Sequence, residues 1–346
     1  MARRGFEPSR ISPHCDFVFA ENGVGFIRYE NGRIHCMVNA FKFGERFSYK
    51  VFDTCWYYDP ARGNKPRLPL NREEVVRFAA QAMIFTGLTG CPWTARSLKD
   101  GHKNFLEDSP LSKYLGEAFG YFHKNVELFN LPAKNNVKIF YSPDSCMCML
   151  DAGIDNIFHT IDELVNNTIP FSLVTAEDLE NLEAGQIVLL PKVFYGDETM
   201  VDAVQTAAAR GVKFLSIGRF ARYYEDGKER RHSHPVFALQ ESDGFYYADD
   251  DFIPRLRELN KAHEIVISES GILVEQKQAP DGCMVLHLLN AANEKTISRL
   301  TIRIHGIRIA SADCVSLENA QIDRIDTDTI VLTNFQTTAT LTISEV

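Results

Sequence analysis

The sequence predicts a mixed chain, α/β through its first two thirds and all-β at its end, and three observations carry that prediction. Between Val137 and Arg219, the apolar runs VKIFYSP, IVLLPKV and KFLSIGR alternate with the helix-like segments DAGIDNIFHTIDELVNN and ETMVDAVQTAAARG. That alternation is the signature of βαβ units around a parallel sheet covered on both faces. After Glu264, eight short runs rich in β-branched residues follow one another between turn residues, from EIVIS to TTATLTISEV. Short strands at this spacing indicate a β-sandwich. Before Asn136 the order is strand, strand, long loop, helix, strand, helix, which fits a small α/β domain or the end of a (β/α)₈ barrel.

In chain order, CDFVFAE (Cys15–Glu21) alternates as a strand ending on a carboxylate, and RIHCMVNAF (Arg33–Phe41) reads as a second strand. The loop KFGERFSYKVFDTCWYYDPARGNKPRLPL follows, about 30 residues long and rich in aromatics, a length that is uncommon unless the loop has a role. Asn71 is a suitable N-cap, and Glu74 three residues on completes a capping box ahead of Val75, Phe78, Ala79, Ala82 and Met83. TGCPWTARSL reads as a third strand, and Ser109-Pro110 opens a helix lined by Leu111, Leu115, Phe119, Phe122, Val126 and Phe129.

In the middle region, Ile154, Ile157, Phe158, Ile161, Leu164 and Val165 recur at helical spacing, as do Val201, Val204, Ala207 and Ala208. Gly211 stands where a C-cap glycine belongs. The result is a flavodoxin-like domain. In the stretch after it, HPVFAL and GFYYAD read as short strands and DDDFIPRLRELNKA as a helix. The expected divisions are 1–136, a partial barrel; 137–263, the flavodoxin-like domain; and 264–346, the sandwich.

A formal net charge of −9 over 346 residues argues against nucleic acid or an anionic membrane as partner. No apolar run approaches the roughly 20 residues a membrane helix needs. The start MARRGFEPSRISPHCD is basic but has no apolar core of a signal peptide. The eight cysteines are scattered and read as free thiols of a reducing compartment, so the expected location is cytoplasmic. Cys146-Met-Cys148 has no second pair to complete a metal site. No motif implies a cofactor.

The order of parts resembles the C-terminal half of the glycoside hydrolase family 42 β-galactosidases and related glycoside hydrolases. The residues that carry the resemblance are AAQAMIFTGLTGCPWTARS, the helix ending FHKNVELF, VKIFYSP with IVLLPKVFYGDETMVDAVQTAAARGVKFLSIGR, and MVLHLLNAANEK. The resemblance implies a barrel end, a class I glutamine-amidotransferase-like domain that serves trimerisation, and a small β-sandwich. It therefore implies a homo-oligomer acting on carbohydrate. Two departures are visible: Gly211 is single where the family has a glycine pair, and no strand here matches the one that carries the family's acid/base glutamate.

Retaining glycosidases use two carboxyls about 5 Å apart. Glu21 at a strand end and Glu45 after the next strand are the candidates, Glu45 as nucleophile and Glu21 as acid or sugar-binding carboxylate. Two solvated loop residues are the plain alternative. Trp56 and Trp93 are placed to stack on a sugar ring, and Asn39 and Arg96 to meet its hydroxyls; packing roles are the alternative for the tryptophans. Neither LLPKVFYGD nor LSIGRFA holds the cysteine that amidotransferase chemistry needs, so the middle domain reads as scaffold or interface. A non-catalytic structural or carbohydrate-binding module is the second reading.

Overall fold

A computed structural model describes residues 14, 17–22, 27–48, 50–55, 58–59, 65–66, 71–86, 109–149, 151–292 and 296–346. The chain divides into two compact units. One is built on Asn135–Glu264, and the other joins Cys15–Lys134 to Ile265–Val346. Among the described residues, no helix is long and apolar enough to cross a membrane.

In the discontinuous unit, β1 (Phe17–Asn22) is followed by a hairpin of β2 (Arg28–Glu30) and β3 (Arg33–His35). Asn31 and Gly32, with φ of 52° and 78°, close the hairpin. Positive φ at both central residues is the geometry that Asn-Gly favours in a two-residue turn. The single strand expected over Arg33–Phe41 is therefore corrected: its first three residues belong to the hairpin and the rest enters α1 (Val38–Arg46). Helix α1 buries Val38, Phe41 and Phe43 together with Lys42 and Gly44.

The expected long loop contains β4 (Lys50–Cys55), which pairs in parallel with β1 so that Glu21 stands opposite Thr54. β5 (Tyr58–Asp59) and β6 (Lys65–Pro66) form a short antiparallel pair. In α2 (Arg72–Thr86), the Asn71 side chain accepts from the Glu74 amide at 2.9 Å, the cap anticipated above. Residues 87–108, with the expected strand TGCPWTARSL, lie outside the described residues. Helices α3 (Ser109–Lys124) and α4 (Val126–Phe129) follow, joined by edge-to-face contacts among Tyr121, Phe122 and Phe129.

The unit built on Asn135–Glu264 holds a five-stranded, all-parallel sheet. Its strands are β7 (Val137–Phe140), β8 (Phe171–Val174), β9 (Ile187–Pro191), β10 (Lys213–Ile217) and β11 (Phe245–Ala248), in the order β11-β10-β9-β7-β8. That is the flavodoxin order, with a switch point between β7 and β9. Its helices are α5 (Pro143–Met149), α6 (Asp151–Asn166), α7 (Glu198–Ala209), α8 (Pro235–Gln240) and α9 (Ile253–Asn260). Asp197 caps α7 by accepting from the Met200 amide at 2.7 Å. HPVFAL, expected as a strand, is α8: His234 is its N-cap and Pro235 takes the first turn, where a missing N–H does no harm.

The eight expected terminal strands all form. They are β12 (Ile265–Ile267), β13 (Ile272–Gln278), β14 (Met284–Asn290), β15 (Ile297–Ile304), β16 (Ile309–Ser316), β17 (Gln321–Ile325), β18 (Thr329–Phe335) and β19 (Thr338–Glu345). They make two antiparallel four-stranded sheets, β12-β15-β18-β17 and β13-β14-β19-β16. Ile272, Val274, Leu286, Leu288, Leu300, Ile302, Leu332 and Leu341 fill the space between them.

Candidate functional site

Strands alternate their side chains between faces. On β13 the set opposite the sandwich core is Leu273, Glu275 and Lys277; on β14 it is Val285, His287 and Leu289. In a sandwich exposed on its outer side these polar residues would face water. Here Glu275, Lys277 and His287 are 1%, 4% and 0% exposed, and their partners show what covers them. Glu275 accepts from Lys42 of α1 at 2.6 Å. Lys277 donates to the carbonyl of Phe129 in α4. His287 lies 3.2 Å from the carbonyl of Leu128 and 2.9 Å from the Thr340 hydroxyl, with its ring stacked on Phe129. From α2, Arg77 donates to the carbonyls of Asn290 and Ala292 at 2.9 and 3.0 Å. Thus the outer face of β13 and β14 is a buried seam with the helices, and its polar groups are satisfied by the partners that burial demands.

The centre of this seam is charged. The Lys42 ammonium is fully buried, 2.6 Å from Glu275 and 3.0 Å from Glu45, with the Phe85 ring beneath it. Burial alone would lower the Lys42 pKa, but Glu275 and Glu45 outweigh it and raise it. Burial pushes the Glu275 carboxyl up to about 7, further than Lys42 pulls it down, with Glu45 adding to the rise. The rise at Glu275 sets the behaviour near neutrality, because Lys42 keeps its proton throughout that range. His287 moves the other way: burial, reinforced by the nearby Lys277 charge, holds it well below its ordinary value and therefore neutral.

Glu45 reaches the surface. It is the rim residue of a recess of about 320 Å³, lined by Gly44, Ser48, Phe85, the segment Phe129–Ala133, and Lys277. The lower wall is stiff, since the Lys134 amide donates to the Gln276 carbonyl and the Gln278 amide to the Pro132 carbonyl, stitching 132–134 to β13.

The structure distributes the residues singled out in the sequence unevenly. Glu45 lies in the last turn of α1, ion-paired to Lys42, rather than after a strand as expected. Glu21 is the fifth residue of β1, whose parallel neighbour is β4 and not the Arg33–Phe41 segment. Asn39 is half-buried in the first turn of α1, its side chain accepting from the Ala40 amide at 2.8 Å. Trp56, Trp93 and Arg96 lie outside the described residues. Glu275, Lys42 and Lys277 were not singled out, and the one available signal was the run of charges Glu275-Gln-Lys277 on a strand of otherwise apolar residues.

At the carboxyl ends of the parallel strands, the turn after β9 is made by Lys192, in a left-handed conformation (φ 50°) and paired with Asp250 at 2.9 Å. Ser216 donates to the Gly218 carbonyl. His234 meets Glu198 at 3.1 Å, and the buried Arg230 also bonds Glu198 and the carbonyls of Ala221 and Gly196. Among the described residues, no cluster of three or more His, Cys, Asp or Glu is placed to hold a metal ion.

No protein-family model matches the sequence, and no curated protein sequence matches it. The fold, by contrast, has clear counterparts among solved structures. A β-galactosidase from Bacillus circulans sp. alkalophilus superposes with a TM-score of 0.68 at 11% identity, covering 98% of this chain and 62% of that one. The exo-carrageenase GH42 from Bacteroides ovatus gives 0.58 at 13% identity over 89% of this chain and 44% of its own. The α-L-fucosidase isoenzyme 2 from Paenibacillus thiaminolyticus gives 0.56 at 12% identity, over 88% and 62%. At these identities the likeness is one of fold. The chain has a mixed α/β, glycosidase-like fold with parallel and antiparallel sheets, and it spans between 44% and 62% of the length of these three structures.

Proposed function

We propose that this chain is part of a carbohydrate-active protein of the glycoside hydrolase type, related to the GH42 β-galactosidases. The observation that carries the proposal is the fold likeness to the β-galactosidase, which extends over 98% of this chain. The reaction proposed is retaining hydrolysis, in which one carboxylate attacks the anomeric carbon while the second carboxyl protonates the departing oxygen. The second group then deprotonates the water that releases the sugar. Glu21 and Glu45 carry that assignment, with Asn39, Trp56, Trp93 and Arg96 as partners for hydroxyls and ring faces. Association into a homo-trimer through the flavodoxin-like unit belongs to the same proposal. The test is hydrolysis of aryl β-galactoside, β-glucoside and α-fucoside by the polypeptide as its own organism makes it. Release of the aryl group from the β-galactoside is expected, and no turnover of any of the three would overturn the reading.

One observation favours a second reading, a non-catalytic carbohydrate-binding module. Glu45 sits on a helix with its carboxylate engaged by Lys42, an arrangement better suited to holding a ligand than to attacking one. On that reading the chain binds methyl β-galactoside and hydrolyses nothing.

A further inference from the structure

We propose that the recess between the end of α1 and β13 binds a single neutral, hydroxyl-rich sugar residue. The proposal rests on the carbohydrate reading only for the choice of ligand, since the recess itself is a feature of the structure. Its volume of about 320 Å³ lies at the lower end of the range for small-molecule sites, about 300–1,000 Å³.

The chemistry of the walls narrows the ligand. Neither charged residue of the walls stands open for a ligand ion: the Glu45 carboxylate is already bonded to Lys42 at 3.0 Å, and Lys277, buried, donates to the Phe129 carbonyl. Neither sign of net charge on a ligand is therefore favoured. A hydroxyl group both donates and accepts and is suited to such a mixed lining. Glu45 is an acceptor at the rim, its side chain 29% exposed, and the exposed Ser48 hydroxyl and Asn130 amide offer donors and acceptors beside it. Phe85, Leu131 and Pro132 supply the apolar surface that the CH faces of a pyranose need.

The walls are also set before a ligand arrives. Lys42 holds Glu45 from behind, the Phe129 carbonyl holds Lys277, and the 132–134 segment is bonded to β13. Fixed partners lower the ordering cost of binding.

The experiment is titration of the full chain with methyl β-galactoside, followed by ligand-observed NMR and calorimetry, alongside inorganic phosphate and tetramethylammonium as charged probes. Saturable binding of the glycoside alone is expected. Glu45→Ala should weaken it about tenfold or more, the loss typical of a hydrogen bond to a charged group. Leu131→Trp, which fills the recess, should abolish it. Asn130→Ala is a milder second variant, expected to weaken binding, and thermal melting of each variant shows whether it is folded. A β-linked galactotriose that binds no more tightly than the methyl glycoside places one residue in the site; a much tighter trisaccharide would overturn the single-residue assignment. Binding unchanged in folded Leu131→Trp, or binding of phosphate in place of the glycoside, would overturn the site. A native polypeptide that hydrolyses galactosides while the recess binds nothing would sink this inference alone; glycoside bound without any hydrolysis would sink only the enzyme reading.

Discussion

At the residue scale, Glu275 and His287 face one another across β13 and β14 as register partners, and they tie stability to pH in opposite directions. The carboxyl of Glu275 is raised to about 7 from an unfolded value near 4.5. The folded state therefore holds a proton that the unfolded chain has released, and stability from this group falls as pH rises through that window. The imidazole of His287 is depressed below 6.5. The unfolded chain there binds a proton that the folded chain refuses, so stability from this group falls as pH drops below 6.5. In the native protein the two slopes offset one another between about pH 5 and 6.5. Single variants should separate them: His287→Asn should melt at lower temperature as pH is raised from 5 to 7.5, and Glu275→Gln as pH is lowered from 6.5 to 5. Parallel melting curves for both variants across this range would contradict the assignment. Glu45 separates the two functional readings at the same scale. If it is a nucleophile, Glu45→Gln abolishes turnover of the native polypeptide; if it only binds hydroxyls, KM rises while kcat holds.

These residues were hard to read in the sequence for a physical reason. A strand with alternating polar residues ordinarily shows them to water, and nothing local marks Glu275 as buried when its partner Lys42 lies 233 positions away. The MVLHLLN run was legible as a strand. His287, within it, fastens that strand to α4 through the Leu128 carbonyl.

At the element scale, legibility followed how much of the decision was local. The parallel strands are buried on both faces and read as unbroken apolar runs, and Asn71 and Gly211 marked helix ends by their own chemistry. The Arg33–Phe41 segment is divided by its surroundings: the Asn31-Gly32 turn folds Arg33–His35 back on Arg28–Glu30 as a hairpin, and the chain enters α1 at Val38. HPVFAL, whose short apolar run matches a strand as well as a helix, is helical because Pro235 fits the first turn behind the His234 cap. Three substitutions test these elements by chemical denaturation. Asn71→Ala should lose about 1 kcal/mol as α2 loses its cap. Gly211→Ala should also lose about 1 kcal/mol, since φ there is +93° and a Cβ would stand 3.2 Å from that of Ala184. Gly120→Ala, within α3 and with nothing within 4 Å of its would-be Cβ, should instead gain about 0.5–1 kcal/mol. A loss at Gly120 as large as that at Gly211 would mean that the helix face of α3 is covered.

At the scale of the whole molecule, the question is what completes the sheet formed by β1 and β4. Among the described residues these two strands pair only with each other. A two-stranded sheet is marginal by itself, and a parallel one is normally buried on both faces. The strands that flank it come from residues outside those described, from a longer polypeptide or from another copy. This joins the proposed trimer to a measurement. Light scattering of the chain at micromolar concentration should return a multiple of 39.2 kDa, and dilution or a charged substitution on the exposed face of the flavodoxin-like unit should lower it. A monodisperse 39.2 kDa species would end the self-association proposal. The intact mass of the natural polypeptide then decides what covers β1 and β4. A much heavier product would supply further strands, and a further catalytic carboxyl, in the same polypeptide. A product of 39.2 kDa would leave the flanking strands to the residues of this chain outside those described, or to a partner.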